Sequence, residues 1–313
     1  MLVSHPDASR SPRAHEPTAH AVVLATGETL RVSNGSFAAT TTDGLQPAML
    51  AALADGSVPA LRMTDAVDPA WCDYVSERFA QHPATTREGV TPPIYSLGSH
   101  LYSWPKGQTA AYFRDIEACN AAIASVLPDG HDPITAFLRD ACAMSQATLE
   151  YLASDGASVR HGALRRWGDG SRASQAGPCY FAVPHEDYAE THADHGHLEQ
   201  IRNADNVFSI ILCIDAVADQ EPETILWDRR LTLEEIRDPG NRHPWASYGY
   251  NEALLEGVAA LSLRLKKGDA AIIPAHNLHC VVGFPGFRRC SYMAFFHFIG
   301  RRPGGFDKLI FRT

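Results

Sequence analysis

The sequence is short of positive charge: 27 Lys and Arg stand against 36 Asp and Glu, for a formal net charge of −9 over 313 residues. A nucleic-acid face needs clustered Lys and Arg to meet phosphates, and no basic stripe of that kind is present. Long apolar runs are also missing. None approaches the roughly 18–20 residues that cross a bilayer, so neither nucleic acid nor membrane is expected as a partner. The seven cysteines, at 72, 119, 142, 179, 213, 280 and 290, are scattered and never form a CxxC pair. That argues against a disulfide framework or a structural zinc site and fits reduced thiols in a cytoplasmic protein. Internal repeats and long low-complexity tracts are absent as well. The first 20 residues, MLVSHPDASRSPRAHEPTAH, lack the apolar core of a secretory signal and read as a flexible arm.

What remains is ordinary for a soluble globular chain, 45% hydrophobic and 20% charged. Residues 21–44 alternate loosely and suggest one or two short strands with Gly turns. A helix, QPAMLAALADG, is closed by Gly56, and a strand, VPALRMTD, follows. The next helix begins at Asp68-Pro69, since Asp is a good N-cap and Pro suits the first helical position. Its apolar residues at 71, 75 and 79 share one face. After a loop over 82–110, helices are expected at 111–127 and 133–152, the second with another Asp-Pro start at Asp132-Pro133.

From about residue 160 the texture changes to short runs: ALRRW, CYFAV, VFSIILCI, ETILW, LSLRL, AAIIP, HCVVGF and CSYMAFFHFIG. Helices first and many short strands afterwards predict an α+β protein. A mainly helical scaffold over 21–159 would pack on a jelly-roll (double-stranded β-helix) core over 160–313 as one integrated domain.

The richest chemistry lies in CYFAVPHEDYAETHADHGH, residues 179–197. Strand alternation would put Phe181, Val183, His185 and Asp187 on one face, delivering a His and a carboxylate together. His279 opens another apolar strand 94 residues later and is followed after ten residues by Arg289. Two histidines and one carboxylate make the facial triad that suits Fe(II) and leaves coordination positions open. Rival groups stand nearby: His192 with Asp194, His195 with His197, His276 beside His279, and Arg288 beside Arg289. The three extra loop histidines read as solvated, His297 as a buried hydrogen-bonded histidine, and Cys280 and Cys290 as small core residues.

His185-Glu186-Asp187, His279 and Arg289-Cys290-Ser291 together resemble the iron(II)/2-oxoglutarate oxygenases, whose pattern is His-x-Asp, a long gap, His, then Arg-x-Ser about ten residues on. The resemblance covers roughly residues 160–300 and extends to the LKKGDAAIIP turn before the distal His. It implies Fe(II) on His185, Asp187 and His279, with 2-oxoglutarate and O2 as cosubstrates. It also implies that Arg289 pairs with the far carboxylate of 2-oxoglutarate, a match to the planar guanidinium fork. By parity Ser291 would add a hydroxyl to that carboxylate. The layout is similar to freestanding natural-product tailoring enzymes, which include halogenases that replace the triad carboxylate with Gly or Ala. Asp187 fills that position, so hydroxylation of an unactivated C–H is expected, with release of succinate and CO2; desaturation and cyclisation are its variants.

Two readings of other classes stand beside this one: a cupin-like metal-dependent isomerase or dioxygenase without 2-oxoglutarate, and a noncatalytic barrel that only binds. The substrate is expected to be a small natural-product intermediate or an amino-acid-like molecule. Arg166, Trp167, Tyr180, Asn206 and Trp227 are the candidate substrate contacts. The helical first half and the 188–204 loop are expected to cover the barrel mouth.

Overall fold

The computed structural model describes residues 20–23, 29–32, 37, 39–88, 94–101, 104, 107–167, 179–188, 198–202, 206–216, 223–283 and 289–313. Residues 1–19 of the arm expected over 1–20, the histidines at 192, 195 and 197, Asp194, Arg288 and most of the 188–204 loop lie outside these residues, while His20 opens a strand.

Both Asp-Pro pairs start helices. In α2 (Pro69–Gln81) the Asp68 side chain accepts from the Ala70 N–H, and in α4 (Pro133–Met144) Asp132 accepts from Ile134 and Thr135. The other two long elements are α1 (Met49–Asp55), closed by a left-handed Gly56, and α3 (Thr109–Val126). The helix expected over 133–152 stops at Met144. Gln146 takes a left-handed φ of 52°, and the β-favouring Thr148 and Tyr151 then sit in a strand.

Among the described residues the strands are, in chain order, β1 (His20–Val23), β2 (Thr29–Val32), β3 (Thr40–Asp43), β4 (Leu61–Thr64), β5 (Thr86–Arg87) and β6 (Ile94–Leu97). Next come β7 (Thr148–Tyr151), β8 (Ala153–Ser154), β9 (Ala157–Ser158), β10 (Ala163–Trp167), β11 (Cys179–His185) and β12 (Phe208–Ala216). The last six are β13 (Glu223–Trp227), β14 (Ala260–Arg264), β15 (Ala270–Pro274), β16 (His279–Gly283), β17 (Arg289–Ile299) and β18 (Lys308–Arg312). Apart from two separate pairs, β1-β2 and β8-β9, they form a major sheet, β3-β4-β15-β12-β17-β10-β6-β5, with β18 on β17 and β7 on β18, and a minor sheet, β11-β16-β13-β14. These are the two faces of a jelly roll. The first half contributes β3 to β7 to the major sheet, so β6 lies in what the sequence reads as a loop over 82–110.

Alternation along β12 and β17 decides what each face does. Ile210, Leu212, Ile214, Tyr292, Ala294 and Phe296 join Phe79, Phe113, Ile123 and Phe137 in one core between the sheet and the helices. The opposite face, with Ile211, Cys213, Met293 and Phe295, looks toward the minor sheet and packs with Leu226, Leu261 and Leu263. The helices α1 to α4 therefore back the major sheet, and none of their residues lines the cavity between the sheets. The segment between β13 and β14, residues 228–259, folds over the outer face of the minor sheet, where Ile236, Tyr250 and Leu255 cover Trp227 and Cys280. No helix among the described residues is long and apolar enough to cross a membrane.

Candidate metal centre and cavity

A cavity of about 510 Å³ opens between the two sheets. At its centre His185, Asp187 and His279 offer ligand atoms that all lie within 4.8 Å of one another. β11 and β16 pair antiparallel, and the register sets His185 directly opposite His279. Strict alternation fails on β11. Register shifts between Tyr180 and Ala182 and between Ala182 and His185 break the parity, so Ala182 lines the cavity while Val183 packs on the outside. Asp187 lies just beyond the strand, where its N–H donates to the Ala275 carbonyl at 2.8 Å.

Each imidazole is oriented by its own backbone. Nδ1 of His185 donates to the Val183 carbonyl at 2.7 Å, and Nδ1 of His279 to the Asn277 carbonyl at 2.9 Å. Both Nε2 atoms are thereby left toward Asp187, at 3.8 Å from His185 and 3.2 Å from His279. Burial, and then the facing His279, push His185 down to about 4. Burial alone would raise the Asp187 carboxyl, but the two histidines hold it well below the usual carboxylate range. His279 is raised despite burial, because Asp187 accepts its hydrogen bond and offsets its charge. Of the two imidazoles, His279 thus holds a proton more readily than His185. Two imidazole nitrogens and a carboxylate oxygen so placed fit a divalent first-row metal such as iron(II).

Arg289 lies on the same cavity, 1% exposed. Its Nε donates to Ser291 Oγ and its Nη1 to Thr224 Oγ1, each at 3.2 Å. Its guanidinium carbon stands 5.5 Å from the centre of the Trp167 ring. Ser291 therefore holds the arginine itself and does not line the cavity, and Thr224, which sequence reasoning missed, holds it from the minor sheet. Parity along ETILW would have pointed to Thr224, since Leu226 faces inward beside it.

Of the five candidate substrate contacts, Trp167 alone lines the cavity. Arg166 is one residue out of phase and lies outside, its guanidinium 5.2 Å from the Tyr95 ring and 6.0 Å from Phe79 of α2. Arg165, in phase with Trp167, takes the inner position. Tyr180 and Trp227 face outward under the 228–259 segment. Asn206 ties its loop to β17, donating to the Phe298 carbonyl and accepting from the Phe298 N–H.

Residues outside the sequence-derived set complete the walls. Glu88 takes Arg165 at 2.9 and 3.0 Å. The 228–259 segment brings Arg242, Tyr248 and Tyr250 to the mouth, and the Tyr248 ring meets His185 edge-on at 5.6 Å. Gly249 permits this approach: a Cβ there would stand 2.5 Å from the Pro184 carbonyl oxygen, and its φ is 81°. The rivals resolve differently. His276 is buried, accepts from the Val207 N–H at 3.5 Å and is pushed down to about 3 by burial; His297 bonds the Asn206 carbonyl and accepts from Arg312 Nε.

No protein-family model and no curated protein matches the chain. Among solved structures, an N-substituted L-amino acid dioxygenase from Burkholderia ambifaria AMMD, in complex with alpha-KG, is 16% identical and aligns over 90% of this chain and 96% of that one, with a TM-score of 0.50. HygX from Streptomyces hygroscopicus, with nickel and 2-oxoglutarate bound, is 9% identical over 76% of this chain and 82% of that one, at a TM-score of 0.42. The non-heme alpha ketoglutarate dependent epimerase SnoN from nogalamycin biosynthesis is 12% identical over 80% and 82%, at 0.41. The Burkholderia likeness establishes a shared fold, the jelly roll with helices on its back.

Proposed function

We propose that the chain is an Fe(II)- and 2-oxoglutarate-dependent oxygenase that hydroxylates a small molecule. One observation carries this reading: a His-Asp-His centre and a buried arginine, whose guanidinium among the described residues donates to the hydroxyls of Ser291 and Thr224, line one cavity. His185, Asp187 and His279 would hold the metal. Iron(II) with 2-oxoglutarate and O2 supplies a two-electron oxidation, in which substrate C–H, O2 and 2-oxoglutarate become the alcohol, succinate and CO2.

The chain's own residues do the rest. Arg289 binds the distal carboxylate of 2-oxoglutarate, and Ser291 and Thr224 keep its fork in one plane. Trp167 covers the guanidinium and keeps water from it. Ile94, Ala182, Ile211 and Val281 supply an apolar part of the wall, which strengthens the polar contacts beside it. Asp187 completes the ligand set where halogenases lack a carboxylate, so oxygen and not chloride should reach the product.

The test is anaerobic addition of Fe(II) and 2-oxoglutarate, read by the visible charge-transfer band of their chelate, then succinate formation on exposure to air. A protein that binds the metal but gives no 2-oxoglutarate band would be a cupin-like enzyme instead. One that binds neither would be a noncatalytic barrel.

A further inference from the structure

The Glu88–Arg165 pair has no part in holding the metal or in orienting Arg289. Arg165 is 7% exposed and sits on β10 opposite Ser291 of β17 and Ser96 of β6. Glu88 meets its Nη2 with both carboxylate oxygens and also accepts from Ser96. Both members line the cavity.

A buried ion pair is a poor way to stabilise a fold, because desolvation offsets most of the attraction and apolar residues usually serve as well. This one shares the cavity lining with the apolar Ile94, Ala182, Ile211, Val281 and Met293, while Glu186, Arg242, Tyr248 and Tyr250 line it elsewhere. A guanidinium and a carboxylate side by side form a fixed dipolar surface. Its complement is a molecule with a carboxylate next to a nitrogen that donates N–H. Resting on the reading above, we infer that the substrate is an α-amino acid with an aliphatic side chain. Its carboxylate lies on Arg165 and its amino group toward Glu88, while the side chain lies along the apolar wall beside the triad. The head group adds no net charge to the cavity, as the pair itself adds none.

The experiment uses the full chain loaded with Ni(II) and 2-oxoglutarate, which cannot turn over. Calorimetry compares L-leucine, L-isoleucine and L-norvaline with their methyl esters and with their deaminated acids. Each free amino acid should bind at least about 30-fold more tightly than its ester or its deaminated acid, and air with Fe(II) should give succinate faster with the amino acid than without it. R165K should weaken amino-acid binding and E88Q should erase the preference over the deaminated acid. Replacing both members, R165M with E88M, removes the pair without leaving a lone buried charge; this variant should melt as the wild type does and lose the amino acid. Equal binding of acids and esters, absence of binding by all three amino acids, or retained binding in the double variant would each overturn the inference. Failure of 2-oxoglutarate itself to bind the wild type would instead sink the oxygenase reading, so the two failures are told apart by the first titration.

Discussion

His185 and His279 are a cross-strand pair: they face each other in the β11–β16 ladder with ring centroids 4.3 Å apart. Two like-chargeable rings at that separation cannot both hold a proton easily, and Asp187 decides between them by bonding His279. An incoming divalent ion must displace the His279 proton. Its affinity should therefore rise with pH, by about tenfold per unit, until the pH passes the raised His279 value and the slope levels off. Calorimetry in buffers of different ionisation heat should count about one proton released per ion on the rising limb. Alanine at His185, Asp187 or His279 should abolish tight binding. A flat pH dependence would show that His279 is not the group displaced.

Arg289 and its two hydroxyl partners should separate by size of effect. Arg289→Ala removes the partner of a buried carboxylate and should weaken 2-oxoglutarate by about 2–5 kcal/mol. Thr224→Val removes one acceptor from Nη1 and should cost about 1 kcal/mol. Titration of 2-oxoglutarate against each variant checks the order. If Thr224→Val costs as much as Arg289→Ala, the threonine touches the cosubstrate directly.

How much of this was legible beforehand differs from residue to residue. That His185, Asp187, His279 and Arg289 meet in one cavity is readable because their spacing along the chain is a property of the sequence itself. The choice of Arg166 over Arg165 failed by one residue: both lie in ALRRW, and only the pairing of β10 with β17 fixes which one points inward. Simple alternation puts Phe181 and Val183 on the face of His185; the irregular register of β11 turns Val183 outward, while Phe181 packs with Ile94, Trp167, Ala182 and Val281 of the cavity wall. Tyr180 and Trp227 do occupy strands, but their faces are buried by residues 228–259, a segment with no periodicity to announce where it folds. Glu88 and Tyr248 reach the cavity from such segments too, and nothing local marks them.

The buried thiols should be inert in the native protein. Burial pushes Cys72 up to about 12 and Cys142 up to about 11, and raises Cys280 and Cys290 well above an ordinary thiol. Since the thiolate is the nucleophile, these four should react with a disulfide reagent only as the chain unfolds. Counting thiols with and without denaturant, with mass spectrometry to locate the label, checks this. Labelling of Cys280 in the folded protein would mean that the minor sheet opens.

Gly249→Ala should destabilise the protein by about 1–3 kcal/mol, because a side chain is forced into left-handed backbone against Pro184. The urea midpoint should fall at constant slope. An unchanged midpoint would show that residues 242–250 do not rest on β11 in solution.

Trp227 and Ala260 are register partners on neighbouring antiparallel strands, and the Asp228 N–H bonds the Ala259 carbonyl. The intervening loop thus leaves and rejoins the barrel at adjacent points, however long it is. Evolution, or a protein engineer, can exchange it as a cassette without altering the register of either strand, and each exchange rewrites the mouth at Arg242, Tyr248 and Tyr250. A replacement must still roof Trp227 and Cys280 with apolar groups, as Ile236 and Leu255 do now. Diversification of substrate and integrity of the barrel are in this way assigned to separate stretches of the same chain.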